Sequence, residues 1–173
     1  MVRICRIDPA HGQDARLKNE PFALWGRMIP ELREGIWSYR TERLPKETVM
    51  CFPDEPYDLT REEGIFLGAY EEGGCIGLAV LRRQMFRYLY LDDLKVIRKR
   101  RGCGVGGKLV QACMDEAGAL GMVGVCTVAQ DNNLSACLFY LSHGFSIGGF
   151  DNRAYRGTAQ AEKADIYFYR DLA

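Results

Sequence analysis

The sequence predicts an α/β domain, a mixed sheet with helices on both faces, and three stretches carry that expectation. Ile65–Glu71 and Cys75–Gln84 are apolar runs around the pair Gly73-Gly74, the signature of a β-hairpin. Tyr88–Leu109, YLYLDDLKVIRKRRGCGVGGKL, is an apolar-flanked strand, then four consecutive cations, then a glycine-rich turn, then the start of a helix. Beyond it the pattern alternates again. A short apolar strand Val123–Val128 precedes a helix capped by Asn132 or Asn133 and ending near Ser142, and Phe145–Asp151 and Asp165–Arg170 supply two closing strands.

The other elements follow from the same rules. Val2–Ile7 alternates and suggests a first strand, and His11–Asn19 suggests the start of a helix. Pro21, Gly26, Pro30, Gly35, Pro45, Pro53 and Pro56 are expected to break Glu20–Tyr57 into short pieces. After the glycines, Val105, Leu109, Val110, Cys113 and Ala117 recur at helical spacing through Val105–Ala119, with Gly121 as the stop. A chain of 173 residues fits one domain, 1–173, large enough to bury roughly two-thirds of its unfolded surface.

Composition narrows the function classes. The formal net charge is zero, which removes a global attraction to nucleic acid or to a membrane surface, although a local basic run still binds an anion. Seven cysteines without a C-x-x-C pair read as reduced thiols, mostly core fillers. His11 and His143 are far apart in sequence, so no metal site is expected. The start, MVRICRIDPA, carries Arg3, Arg6 and Asp8 where a signal peptide needs an apolar run, and no apolar stretch approaches ~20 residues. The expectation is a soluble, cytoplasmic protein with a small-molecule substrate, no nucleic-acid partner and no membrane. The oligomeric state stays open, a homodimer included.

The chemistry concentrates at Arg98–Lys108. A strand that enters a glycine turn and then a helix aims the free N–H groups of the turn at one point, where the helix dipole adds positive potential. Three templates overlay these letters. Gly102, Gly107 and Lys108 nearly satisfy the P-loop pattern, but Leu109 supplies no hydroxyl to hold magnesium. Gly102, Gly104 and Gly107 satisfy the dinucleotide pattern G-x-G-x-x-G, with Asp131 near the end of the next strand. That fold, however, needs its fingerprint at the first strand of a longer alternating series, and here the loop falls past mid-chain. Arg101, Gly104 and Gly106 satisfy R-x-x-G-x-G.

This third pattern resembles the acetyl-coenzyme A loop of the GNAT superfamily of N-acetyltransferases. Asn133, Ala136, Tyr140, Gly144 and Phe145 reproduce that family's second signature, N-x-x-A-x-x-x-Y-x-x-x-G-F. The resemblance implies the GNAT fold, a central, mostly antiparallel sheet flanked by helices, and acetyl-coenzyme A as co-substrate. It implies that main-chain groups of Leu94, Lys95 and Val96 pair with the pantetheine arm, and that N–H groups of Arg101, Gly102, Cys103, Gly104, Val105 and Gly106 hold the pyrophosphate. Asn133 would bond the pantetheine or cap its helix, and Tyr140 would protonate the departing thiolate or serve as a core tyrosine.

Further stretches, GRMIPELREGIWSYRTE, FPDEPYD, AQDNNLSACLFYLSHGF, GGFDNRAYRG and DIYFYRDL, are similar to the streptothricin acetyltransferases within this superfamily. Asp92 and Asp93 form the acidic pair expected there; adjacent on a strand, they point to opposite faces, so one of them faces the acceptor. Such a carboxylate draws in a cationic amine and takes its proton, or else pairs with Lys95 or an arginine as a structural ion pair. Val128 stands where those enzymes suggest a glutamate, which leaves the acceptor open between streptothricin, an aminoglycoside, a polyamine and a protein amine. A non-catalytic acyl-coenzyme A-binding module, and a nucleic-acid module using Arg98–Arg101, are the readings from other classes.

Overall fold

Turns with a positive φ at their first two corners set much of the strand order. Glu34 and Gly35 (φ 51° and 79°), like Glu72 and Gly73 (φ 51° and 81°), take the left-handed twist that two-residue hairpin loops require. In the computed structural model, which describes residues 1–173, the strands and helices in chain order are β1 (Arg3–Arg6), β2 (Phe22–Arg33), β3 (Ile36–Met50), β4 (Ile65–Glu71), β5 (Gly74–Met85), β6 (Tyr88–Val96), α1 (Val105–Ala119), β7 (Gly124–Gln130), α2 (Leu134–Ser142), β8 (Ser146–Asp151) and β9 (Asp165–Asp171). The mixed α/β class expected from the sequence is the class observed.

The chain forms two compact units. The first comprises Met1–Glu20, Cys51–Val125 and Leu172–Ala173; the second comprises Pro21–Met50 and Cys126–Asp171.

In the first unit the strands lie in the order β1-β4-β5-β6, each antiparallel to its neighbour. The apolar run of β5 is buried almost throughout because both of its faces are covered, Gly77 lying against Leu109 of α1 and Leu78 and Val80 packing with Ile7, Tyr57 and Phe66. Helix α1 packs on β4, β5 and β6 through Val105, Leu109, Val110, Cys113 and Ala117, the positions its spacing marked out, and through Met114 as well. Burying each of the larger side chains is worth about 1.5–3 kcal/mol relative to leaving it in water. A second cluster of Ile7, Ala15, Tyr57, Phe66, Leu78 and Val80 carries the segment before β2. That segment is not the regular helix expected from His11: Pro9–Arg16 makes tight 3-10 turns, capped by Asp8 and broken at His11.

The second unit overturns the expectation for Glu20–Tyr57. Instead of short pieces, Phe22–Arg33 and Ile36–Met50 form one long antiparallel ribbon with a two-stranded sheet of its own. Proline is tolerated because each strand of a ribbon keeps a free edge, where a missing N–H costs no ladder bond. Pro30 sits opposite Tyr39, and Pro45 falls where the register jumps from Gly26↔Arg43 to Leu24↔Thr48, so that Leu44–Glu47 bulges out. The remaining strands of this unit lie in the order β7-β9-β8, with β8 and β9 antiparallel.

Gly26 shows why the ribbon carries a glycine. It bridges to Asn133, and a Cβ there would lie 2.4 Å from Leu134 Cδ2 and 3.0 Å from the Glu42 carbonyl oxygen. Leu134 is itself buried at the start of α2. Gly26→Ala is therefore expected to cost about 1–3 kcal/mol by overpacking, read as a lower urea midpoint; a variant as stable as its parent would show that this contact is slack.

Candidate active site

The first unit builds the glycine turn, the candidate anion site, from one continuous stretch. Strand β6 holds its register against β5 to its end, Leu94↔Ala79, Lys95↔Leu78 and Val96↔Gly77, and the Ile97 N–H still bonds the Ile76 carbonyl at 3.0 Å. The chain then turns through Arg98–Arg100, and the Arg101 N–H closes on the Arg98 carbonyl at 3.2 Å. Gly102 and Gly104 follow with φ of 74° and 78°, which a side chain would make costly. A Cβ at either would meet nothing within 4 Å, so the loop presents bare backbone on an open face.

Helix α1 opens there without a cap of its own. Gly104 is the N-cap residue and has no side chain to offer, and the helical ladder begins with the Lys108 N–H on the Gly104 carbonyl at 3.2 Å. The N–H groups of Val105, Gly106 and Gly107 therefore have no acceptor inside the helix. No acidic side chain occupies the first turn to offset the dipole. This arrangement suits a phosphate, whose oxygens satisfy several such donors at once.

Of the four cations before the glycines, two are already engaged. Arg100 pairs with Glu71, and the Arg101 guanidinium donates through Nε to the Val96 carbonyl at 3.0 Å and through Nη2 to the Glu20 carbonyl at 3.2 Å. Arg98 and Lys99 are exposed and can turn toward a ligand.

The acidic pair lies just upstream on β6. Asp92 accepts from Arg82 Nε at 2.6 Å, and the same guanidinium reaches Glu62 at 2.9 Å and the Glu63 carbonyl at 2.6 Å. Asp93 pairs with Lys95 Nζ at 2.9 Å and accepts the Tyr57 hydroxyl at 3.2 Å. The Tyr57 ring is flanked by both cations, Arg82 at 5.9 Å and Lys95 at 5.8 Å from its centroid. Burial, and then the neighbouring Asp93 carboxylate, push the Tyr57 phenol well above its ordinary range, so it stays neutral and donates. Arg82, Glu62 and Tyr57 were not legible as site residues, because each reaches the pair from a distant part of the sequence.

The second unit holds the other signature. Asn133 caps α2, its Oδ1 accepting the Ala136 N–H at 3.3 Å, which leaves its amide nitrogen as a donor. Tyr140 is 8% exposed, with its ring fixed by Phe139, Phe145 and Phe168 at centroid distances of 5.4, 5.3 and 5.6 Å. The signature thus has a plain structural content: a cap, its first donor, the tyrosine, Gly144 ending the helix, and Phe145 against the tyrosine ring. Asp131, the ribose ligand of the dinucleotide alternative, is instead 4% exposed, 2.9 Å from Arg27 Nε, and accepts the Ala164 N–H at 3.0 Å. In the same unit Trp25 Nε1 bonds Ser135 Oγ at 2.7 Å, tying β2 to α2.

The thiols have their own chemistry. Burial pushes Cys113 and Cys137 up to about 12 and Cys126 up to about 11, so none of the three is a thiolate near neutrality. Cys103 is exposed in the loop.

Comparison with known proteins gives this geometry a context. The model of the acetyltransferase (GNAT) family matches residues 29–145. Streptothricin acetyltransferase A of Bacillus subtilis (strain 168) is 35% identical over 170 residues, 96% of this chain and 98% of that protein. A Bacillus anthracis str. Ames protein, a candidate streptothricin acetyltransferase crystallised with acetyl coenzyme A, superposes with a TM-score of 0.90 at 26% identity, covering 99% of this chain and 100% of that one. Nourseothricin acetyltransferase has the same fold, with a TM-score of 0.81 at 21% identity over 99% of each chain.

The two carboxylates of β6 differ in what they leave behind. Lys95, with a side chain 9% exposed, has Asp93 as its carboxylate, whereas Arg82 keeps Glu62 and a carbonyl if Asp92 is removed. Asp93→Asn is expected to lower stability by about 1–3 kcal/mol and Asp92→Asn by about 1 kcal/mol or less. Thermal or urea melts check the order, and equal losses would contradict it.

Proposed function

We propose, from the premise that this chain belongs to the acetyltransferase (GNAT) family and is an acetyl-coenzyme A-dependent N-acetyltransferase, that its acceptor is the β-lysine amine of streptothricin. The observation that carries the proposal is the 35% identity to streptothricin acetyltransferase A over 96% of the chain. Acetylation there would neutralise a cation on the antibiotic, a resistance function.

Acetyl-coenzyme A brings the acetyl group as a thioester. Its diphosphate meets the N–H groups from Arg101 to Gly106, of which Arg101 and Cys103 also donate to the Arg98 and Arg100 carbonyls at 3.2 and 3.4 Å, while the main chain of Leu94, Lys95 and Val96 serves the pantetheine arm as an added strand would. Fixed backbone dipoles need no reorganisation during reaction, which is why glycines, rather than long side chains, suit this task. The Val96 carbonyl is already occupied by Arg101, which leaves its N–H as the group to polarise the thioester carbonyl. Arg98 and Lys99 are the cations available for the ribose phosphate.

A lysine-like amine has an unperturbed pKa of ~10.4 and reaches the site protonated. The Asp92–Asp93 pair attracts that cation and takes its proton, directly or through water. Asp92 suits the task better: its side chain is 33% exposed against 22% for Asp93, and Arg82 keeps other partners when Asp92 turns to a substrate. The free amine then attacks directly in a ternary complex, with no acyl-enzyme on cysteine. The Tyr140 hydroxyl returns a proton to the departing thiolate, and Asn133 steadies the pantetheine through its amide nitrogen.

The test is thiol release from acetyl-coenzyme A by purified protein offered streptothricin, aminoglycosides, polyamines and peptides. Streptothricin is expected to give the highest kcat/KM; turnover on peptides alone would overturn the acceptor. Tyr140→Phe is expected to lower kcat on the order of 10²-fold or more with acetyl-coenzyme A affinity changed less than about threefold. A phenylalanine variant that turns over like its parent would remove Tyr140 from the chemistry.

A further inference from the structure

The loop that receives the diphosphate is held from outside by a short strap that no sequence signature includes. Asn19 and Glu20 run past the exit of β6. Asn19 is anchored by its N–H to Asp54 at 2.7 Å and by Nδ2 to the Pro53 carbonyl at 2.8 Å. From this anchorage the strap makes successive bonds to the cofactor segment. The Asn19 side-chain oxygen accepts Lys95 Nζ at 3.4 Å, the Glu20 carboxylate accepts the backbone N–H of Arg98, and the Glu20 carbonyl accepts Arg101 Nη2 at 3.2 Å. The same Arg101 side chain closes the circuit on the Val96 carbonyl at 3.0 Å.

We infer that Glu20 is a positioning residue for acetyl-coenzyme A binding, its carboxylate fixing the Arg98 peptide and hence the direction in which the amides of Gly102–Gly106 point. The inference rests on the acetyl-coenzyme A reading of that loop. A carboxylate beside an anion-binding turn is electrostatically unfavourable for the ligand, so its presence needs a structural reason. The Arg98 N–H lies at the start of the 3-10 turn, where a peptide donor has no partner within the turn itself. Without the bond the loop samples orientations that do not bind, and apparent affinity falls by the fraction of time it is misdirected.

Calorimetry with acetyl-coenzyme A, steady-state kinetics and amide hydrogen exchange on Glu20→Ala and Glu20→Gln test this. Glu20→Ala is expected to raise the Kd and the KM for acetyl-coenzyme A about tenfold, with kcat at saturation and the acceptor KM within about twofold. Exchange at Gly102–Val105 should quicken in the free protein. Glu20→Gln keeps an oxygen for the Arg98 N–H and should stay within about threefold of the parent. Glu20→Asp, one methylene too short to reach from the same backbone position, should reproduce the alanine loss and serves if the alanine variant does not fold. In both the alanine and glutamine variants, tighter binding would mean that the carboxylate only repels the ligand and unchanged binding that it has no part in affinity, and either would overturn the strap alone. A parent chain that binds no acetyl-coenzyme A would overturn the reading beneath it as well.

Discussion

Peptide donors with no acceptor of their own are the constraint around which the first unit is arranged. A helix must begin somewhere, and its first N–H groups are bonded by a cap, by water or by a ligand. Here the N-cap position is a glycine at φ 78°, the first turn carries no acid, and the preceding glycine also exposes its backbone. No side chain of the turn caps the helix, and a Cβ at Gly104 would meet nothing within 4 Å, so the space before the first turn stays open. The helix forgoes a side-chain cap, and its six buried positions hold it by packing on the sheet.

Around that opening, the side chains divide into those that hold the backbone and those left exposed to solvent. Arg100 and Arg101 belong to the first group, Arg98 and Lys99 to the second. Tyr57, Arg82 and Lys95 do the same for the acidic pair, surrounding it with one neutral donor and two cations. In the second unit, Asn133 and Tyr140 get their orientations from a cap and from aromatic packing, so that their polar groups are set by the local fold.

Much of this was legible in the sequence because it is local. The hairpin about Gly73, β6, the glycine loop, α1 and the Asn133 cap all declare themselves within a few residues, and their boundaries agree with the structure almost residue for residue. Glu20–Tyr57 was misread because Pro30 and Pro45 were weighed as breakers without knowing that the ribbon leaves free edges. His11 suggested a helix where the chain makes 3-10 turns pressed against the Tyr57 cluster. The partners of Asp92 and Asp93 escaped notice for a different reason. Tyr57 and Arg82 are 36 and 10 residues away along the chain and carry no motif, and only the pairing of β5 with β6 brings Arg82 alongside.

The bulge at Leu44–Glu47 bears on solubility. Strand β3 is paired only with β2, which leaves its outer edge open, and most of β3 faces solvent with apolar side chains at Ile36, Tyr39 and Val49. Such an edge invites another chain to add itself as a further strand, the first step toward aggregation. Where the register breaks, Pro45 removes a donor and Lys46 sets a charge beside it, so an incoming strand finds no uninterrupted row to copy. The proline that looked like a chain breaker keeps neighbouring molecules from zipping together.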